Sequence, residues 1–262
     1  MTKAAVTIDE VSNKIDTIID RCLPITSKQL QGFNEALTLA SGVKAMREIF
    51  LNNDDIRSNI EAMANTPLGF MTDRAPEVIR ASKKANPPKP YTYNEIAECC
   101  IEAMLQGYRI TGNEFNIIAG RFYPAKNGKY RKIIENESIS NFFFTTTSPA
   151  FTTEARVNYG KTEQISIAKV QCYASWLQDG VKVKIGYDDD RLIFKIRVNA
   201  FMGDDGIVGK ALSKLFSRVL MRIEGRILPE ATDIDVSSDV GSEPKPNLND
   251  KLKVPGDTGV QD

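Results

Sequence analysis

Cations set out at helical spacing are the residues of this chain best placed to do chemistry. Residues 206–228 read GIVGKALSKLFSRVLMRIEGRIL, and Lys210, Lys214, Arg218, Arg222 and Arg226 recur there every four residues. Ile207, Val208, Ala211, Leu212, Leu215, Phe216, Val219, Leu220 and Ile223 fall between them at the spacing of an amphipathic helix. A four-residue step drifts about 40° per step on a 3.6-residue helix, so the cations form a slowly winding stripe. Like charges at i,i+4 cost about 0.2–0.5 kcal/mol per pair on an isolated helix, and Glu224 alone opposes them in this stretch. Two readings follow: a site for a polyanion such as a phosphate backbone, or a solvated helix edge whose counter-charges come from elsewhere in the fold. The helix alone does not separate them.

A second cluster comprises Arg121, Lys126, Lys129, Arg131 and Lys132, with no acidic residue between 121 and 132. Phe122, Tyr123 and Tyr130 are interleaved with it. Cations that neutralise phosphates, beside aromatic faces that stack on bases, are what single-stranded nucleic acid requires. The alternative is an exposed hairpin whose aromatic residues turn into the core. Arg109, Lys161 and Arg191 are weaker candidates.

Other chemistries are poorly served. The chain has no histidine, which excludes Ser-His-Asp, Cys-His and His-zinc arrangements. Cys22, Cys99, Cys100 and Cys172 lack metal-ligand spacing and read as reduced core thiols of a cytoplasm. Residues 203–211, GDDGIVGKA, resemble a phosphate loop but fail it twice. Gly203 to Gly209 is one residue too long for G-x-x-x-x-G-K-[ST], and Ala211 stands where a magnesium-binding hydroxyl belongs. A turn that opens the helix, with its amides available to a backbone phosphate, is the better account. Asp204-Asp205 and the run at 188–190 suit turn and helix-start positions better than a divalent ion. Phe142-Phe143-Phe144 reads as a buried strand, and Trp176 is uninformative alone. No cofactor is expected, although Mg2+ as a modulator of DNA binding is compatible with the sequence.

These residues must be carried by a scaffold. At 262 residues, 42% hydrophobic and 26% charged, the chain suits one large or two small domains. No apolar run nears the ~20 residues of a membrane span, and no signal peptide is visible. The expectation is therefore a cytoplasmic protein with no membrane partner. The charges sum to zero but are unevenly spread: residues 229–262 hold eight acidic residues against three lysines, a net of −5, leaving +5 on residues 1–228.

Residues 8–85 read as helices. The first carries Ile8, Val11, Ile15, Ile18 and Ile19 and is broken by Pro24. The second is capped by Ser27 and carries Leu30, Phe33, Leu37 and Ala40. A third starts at Asp54-Asp55 and a short one at Pro76. Residues 86–90 (NPPKP) read as a linker. Thr92-x-x-Glu95 is a capping box that opens a helix closed by Gly107. From 114 to 200 the pattern is strands: one around Phe115, Ile117 and Ala119, and a hairpin turning at Asn127-Gly128 between 121–125 and 129–135. Further strands are expected at 141–147, 165–168, 181–187 and 192–200, with the Asp run at 188–190 as a turn. The fold class is α+β: a helical N-terminal region, an antiparallel β-meander covered by helices, and a disordered acidic C-terminal tail.

Two stretches bear a family likeness. Residues 102–130, EAMLQGYRITGNEFNIIAGRFYPAKNGKY, resemble a region of the RecT/Redβ family of phage single-strand annealing proteins, where a helix ends in a Gly-hydrophobic pair before a hairpin with a Tyr and a Lys-x-Gly turn. Residues 203–225 resemble that family's later basic helix. The likeness covers about residues 92–228. The proline common after the Gly-hydrophobic pair is absent here, and residues 136–200 give no match. The resemblance implies ATP-independent binding of single-stranded DNA and annealing of complementary strands in phage-type recombination. It implies homo-oligomers in rings or helical filaments, a 5′→3′ exonuclease and a host single-strand-binding protein as partners, and no catalytic residue. Lys210, Lys214, Arg218 and Arg222 would contact the DNA backbone from the helix, and Lys126, Lys129 and Arg131 from the hairpin. Residues 1–90 would then be the helical oligomerisation region, 91–228 the DNA-binding and annealing core, and 229–262 the disordered acidic tail. A non-catalytic phage assembly or interaction protein, and a carboxylate–metal nuclease using the Asp pairs, are the competing functions.

Overall fold

Capping residues and turn glycines set the boundaries of the first half of the chain. The computed structural model describes residues 8–26, 32–82, 86–158, 161–186, 192–199 and 202–225. The acidic tail at 229–262, the Asp run at 188–190, Arg191, Arg226, Ser27 and Leu30 lie outside the described residues. Helix α1 (Ile8–Thr26) carries Pro24 inside its last turn, which corrects the expectation that Pro24 ends it. Proline removes one helical N–H and crowds the carbonyl four residues back. A tertiary anchor holds the last turn nonetheless, since Thr26 Oγ1 donates to the carbonyl of Leu105 at 2.6 Å. Helix α2 (Phe33–Leu51) starts at a Gly32 cap and buries Gly42, Met46 and Phe50, leaving Phe33 and Leu37 exposed. Helix α3 (Asp54–Met63) is capped by Asn53, whose side chain accepts from the Ile56 N–H at 3.1 Å.

Strand β1 (Met71–Thr72), helix α4 (Pro76–Ala81, with proline in its first turn) and helix α5 (Tyr93–Leu105) follow. The Thr92/Glu95 capping box is fully formed, and Gly107 at φ 77° closes the helix. Strands β2 (Phe115–Ile118) and β3 (Arg121–Pro124) pair antiparallel, and β1 joins β2 in parallel. Their two-residue turn is Ala119-Gly120, at φ 52° and 72°. Buried Asp73 holds that turn: it accepts from the Ala119 N–H at 3.0 Å and from the Tyr91 hydroxyl at 2.7 Å, while the Gly120 N–H donates to the same hydroxyl at 2.7 Å. Burial, with Asp73 beside it, raises the Tyr91 hydroxyl well above its ordinary pKa.

The expected hairpin at Asn127-Gly128 is corrected. Those residues lie in the first turn of helix α6 (Lys126–Ile134). Gly128 serves close packing rather than a turn: a Cβ there would sit 2.5 Å from the Glu114 carbonyl and 2.6 Å from the Tyr108 ring.

The large sheet is built on one strand, β6 (Lys161–Gln178), of 18 residues. Strands β4 (Ile139–Thr146) and β5 (Ala150–Asn158) lie end to end along one edge of it, and β7 (Val181–Ile185) and β8 (Leu192–Arg197) along the other. All four pairings are antiparallel. The expected 165–168 strand is thus a fragment of β6, and β5 was not expected. Helix α7 (Asp204–Glu224) covers one face, packing Ile207, Ala211, Leu215, Phe216, Val219 and Leu220 against Ala168, Val170, Cys172, Ala174, Trp176 and Ile196.

The architecture is α+β, with seven helices among the described residues. Its buried residues form two clusters. The first joins α1, α2, α3 and α5 to β2 and β3, and the second joins α6, β4, β6, β7, β8 and α7. The hydrophobic division falls near Ala125, not at the 86–90 linker, because α5 and the β2–β3 hairpin pack on the N-terminal helices. No helix among the described residues is long and apolar enough to cross a membrane.

Candidate nucleic-acid interface

Three of the cations singled out on 121–132 face inward. Lys129 is 6% exposed and donates from Nζ to the Ser213 hydroxyl at 3.0 Å and to its carbonyl at 3.3 Å, tying α6 to α7. Arg131 grips buried Glu114 through Nε and Nη2, Glu135 at 2.7 Å and the Gly107 carbonyl at 2.7 Å. Burial pulls the Arg131 guanidinium down, but hydrogen bonds to the two carboxylates outweigh it and the net shift is upward. Lys132 pairs with Glu224 at 2.9 Å, donates to the Gln106 carbonyl at 3.0 Å and lies 5.0 Å from the Tyr108 ring centroid. Glu224, the only acid in the basic stretch, is thereby used by α6.

Arg121 opens β3 and Lys126 opens α6, both exposed. Tyr123 is half-buried on β3. Tyr130 is 39% exposed, and its ring packs with Phe142, Phe144 and Phe216 at centroid distances of 6.3, 6.1 and 5.5 Å. It is a wall of the second core more than a free stacking surface. On α7, Lys210 and Lys214 are half-buried, and Arg218 and Arg222 are exposed. Lys210, Lys214 and Arg218 each interact with other groups of the chain. The α7 stripe and the α6 cations are therefore adjacent, and of these two clusters Arg121, Lys126, Arg218 and Arg222 are exposed.

A third cationic surface was not anticipated. Side chains alternate across a strand. With Ala168, Val170, Cys172, Ala174 and Trp176 under α7, β6 turns Ile167, Lys169, Gln171, Tyr173, Ser175 and Leu177 to the opposite face, where no described helix packs. Cross-strand register adds Arg197, Lys195 and Ile193 from β8, Lys184 and Lys182 from β7, Phe143 and Thr145 from β4, and Glu154 and Arg156 from β5. Among the residues whose side chains are described, this open face carries six cations (Arg156, Lys169, Lys182, Lys184, Lys195, Arg197) and two carboxylates, Glu154 and Glu163. Lys195 pairs with Glu154 at 2.7 Å. Phe143, 54% exposed, stands 6.2 Å from the Tyr173 ring at an interplanar angle of 58°, a diagonal cross-strand pair. Phe142 and Phe144 do point into the core as expected; Phe143 does not.

The signal for this surface was present as two-residue repeats: Lys182-x-Lys184, Lys195-x-Arg197 and Lys169-x-Gln171-x-Tyr173. Counting cations in runs along the chain passed over it, because a strand face collects every second residue from several strands.

All four cysteine thiols are buried. Burial pushes the Cys99 and Cys172 thiols up to about 12, and raises Cys22 and Cys100 also. Among the described residues no group of three or more His, Cys, Asp or Glu could hold a metal ion. The α7 N-terminus presents Asp204 and Asp205 in its first turn, beside a Gly203 cap. Comparison with family models, curated proteins and solved structures returned no match.

Proposed function

We propose that this protein binds single-stranded DNA across the open face of the large sheet and promotes its annealing to a complementary strand without ATP. The observation that carries the reading is the composition of that face: six cations against two carboxylates, with the Phe143–Tyr173 ring pair among them. Annealing requires phosphates held on a rigid support while base edges stay free to pair. Lys and Arg on a sheet supply the first requirement by counterion release, and aromatic faces hold bases without occupying their pairing edges. The exposed α7 cations Arg218 and Arg222 lie on the other side of the sheet and are a second, smaller contact zone. The family resemblance points to the same activity and alone suggests assembly into rings or filaments with an exonuclease partner.

The test is fluorescence anisotropy of a labelled oligonucleotide at several salt concentrations, followed by addition of the complementary strand. Each cation that releases a counterion from single-stranded DNA contributes about −0.7 to the slope of log K against log salt. Replacing Lys169, Lys182 and Lys184 with Ala should flatten the slope by about 2, and replacing Arg218 and Arg222 by at most about 1.4. An unchanged slope in the sheet variant would remove the sheet from the site. The competing assembly reading draws on Phe33, 77% exposed on α2 beside exposed Leu37; salt-insensitive self-association without DNA affinity would favour it.

A further inference from the structure

We propose that the open sheet face is also the docking surface for the chain's own acidic terminus, residues 229–262, which competes there with nucleic acid. The inference rests on the preceding reading of that face as an anion site, and it names what occupies the face in the absence of DNA.

Charge complementarity is the first argument. The face has a net charge of +4 among its described side chains, and residues 229–262 carry −5. Neither of the other two cationic regions, on α6 and α7, is a comparable target. Lys129 is buried against Ser213, Arg131 and Lys132 are half-buried and paired with carboxylates, and α7 presents four described cations, two of them half-buried.

Reach is the second. The described chain ends at Gly225, at the C-terminus of α7 on the covered side of the sheet. Passing from the helix layer to the sheet plane takes about 10 Å, and each strand crossed on the way round an edge adds about 4.8 Å. A path of some 30–40 Å therefore needs about 10–12 extended residues. Glu230, Asp233 and Asp235 cover the approach, and Asp239, Glu243 and Asp250 arrive on the face.

The consequence is a binding cost set by occupancy: a face covered by the terminus nine-tenths of the time binds DNA about tenfold more weakly than a bare one. Two measurements on the full-length chain test this. In the first, all eight acidic residues of 229–262 are replaced by their amides (Asp→Asn, Glu→Gln), and affinity for a labelled oligothymidylate is compared with the unaltered protein. The expected gain is about tenfold at low salt, shrinking as salt screens the contact; equal affinity at low salt overturns the competition. In the second, zero-length carbodiimide cross-linking without DNA, read by mass spectrometry on mixed light and heavy-isotope protein, locates the carboxylates. Links within one copy from 230–250 to Lys169, Lys182, Lys184 or Lys195, suppressed by oligonucleotide, support the proposal. Links confined to Lys210 and Lys214, or only between copies, overturn it. Same-copy links to the sheet lysines in a protein with no DNA affinity, amide variant included, would keep the docking and overturn the DNA-binding reading instead.

Discussion

Helix α6 and the open face of the large sheet hold the same residue types in opposite roles. On α6, Lys129 and Lys132 are spent on Ser213 and Glu224 and tie α6 to α7, while Arg131 is spent on Glu135 and on Glu114, which joins α6 to the start of β2. On the sheet, Lys169, Lys182, Lys184 and Lys195 sit on a surface that no described helix covers, with Glu154 and Glu163 as the only described carboxylates. Charge count along the chain does not distinguish a structural cation from a binding one. The distinction is set by whether a buried acceptor, fixed by another element, lies within reach. A buried pair is costly to break because the abandoned charge stays in low dielectric, whereas an exposed cation is rehydrated at little cost.

The largest effect that would break or sharpen this comparison is on stability. Arg131→Met should lose about 3–5 kcal/mol, because it leaves Glu114, whose side chain is 7% exposed, without its guanidinium. Chemical denaturation measures it. A loss under ~1 kcal/mol would place Arg131 among surface pairs and dissolve the contrast with the sheet. Lys132→Met and Glu224→Met should each destabilise singly, and the double variant should recover most of the loss, since removing both members leaves no buried charge behind.

Next come two glycine substitutions. Gly128→Ala drives a methyl into the Glu114 backbone and should cost roughly 1–3 kcal/mol, as overpacked sites do. Gly209→Ala, on α7 with nothing within 4 Å of its added Cβ, should stabilise by roughly 0.5–1 kcal/mol. Equal effects from the two would mean that the α6 contact yields as readily as open space, and that α6 is not the rigid fastener described.

Local signals were legible wherever residues a few positions apart settle the outcome. The Thr92/Glu95 box, Asp54 and Asp55 at a helix start, Pro76 in a first turn and Gly107 past a helix end all appear as expected. What could not be read depends on partners distant in sequence. Asn127-Gly128 has the composition of a hairpin turn, but Gly128 is needed to pass the Glu114 carbonyl. Strand β5 is polar and gains its ladder only from β6. Pro24 stays helical because Thr26 is anchored to Leu105, 79 residues away. The pairing of Lys132 with Glu224 spans a similar gulf, so two cation clusters that looked alike in sequence separated into a fastener and an outward stripe. The open face was visible only as two-residue repeats in separate strands, and register was needed to superimpose them.

A smaller effect belongs to the ring pair. Phe143→Ala should weaken oligonucleotide binding by about 1–3 kcal/mol for each base it stacks, while stability changes by no more than about 0.5 kcal/mol, as at other exposed positions. Anisotropy and denaturation on the same variant decide it. A stability loss without a binding loss would make Phe143 a packing residue like its neighbours Phe142 and Phe144.

The smallest effect is in the acid range, and it separates the two regions by titration. The Arg131 guanidinium, donating to Glu135 at 2.7 Å with Arg109 nearby, holds the Glu135 carboxyl below its ordinary value of 4.5. A carboxylate with a lowered folded-state pKa contributes stability that is fully present above its unfolded pKa and is lost as pH falls through the folded one. The α6 network should therefore weaken below about pH 4.5. No cation on the sheet face changes charge in that range, so DNA affinity per folded molecule has no reason to fall with it. Denaturation midpoints between pH 6 and pH 3 should drop more steeply for the unaltered protein than for Glu135→Gln, which has no proton to take up. The two curves should converge at the acid end, where Glu135 is neutral in both. Parallel curves would show that Arg131 leans on Glu114 alone, and would take Glu135 out of the fastener.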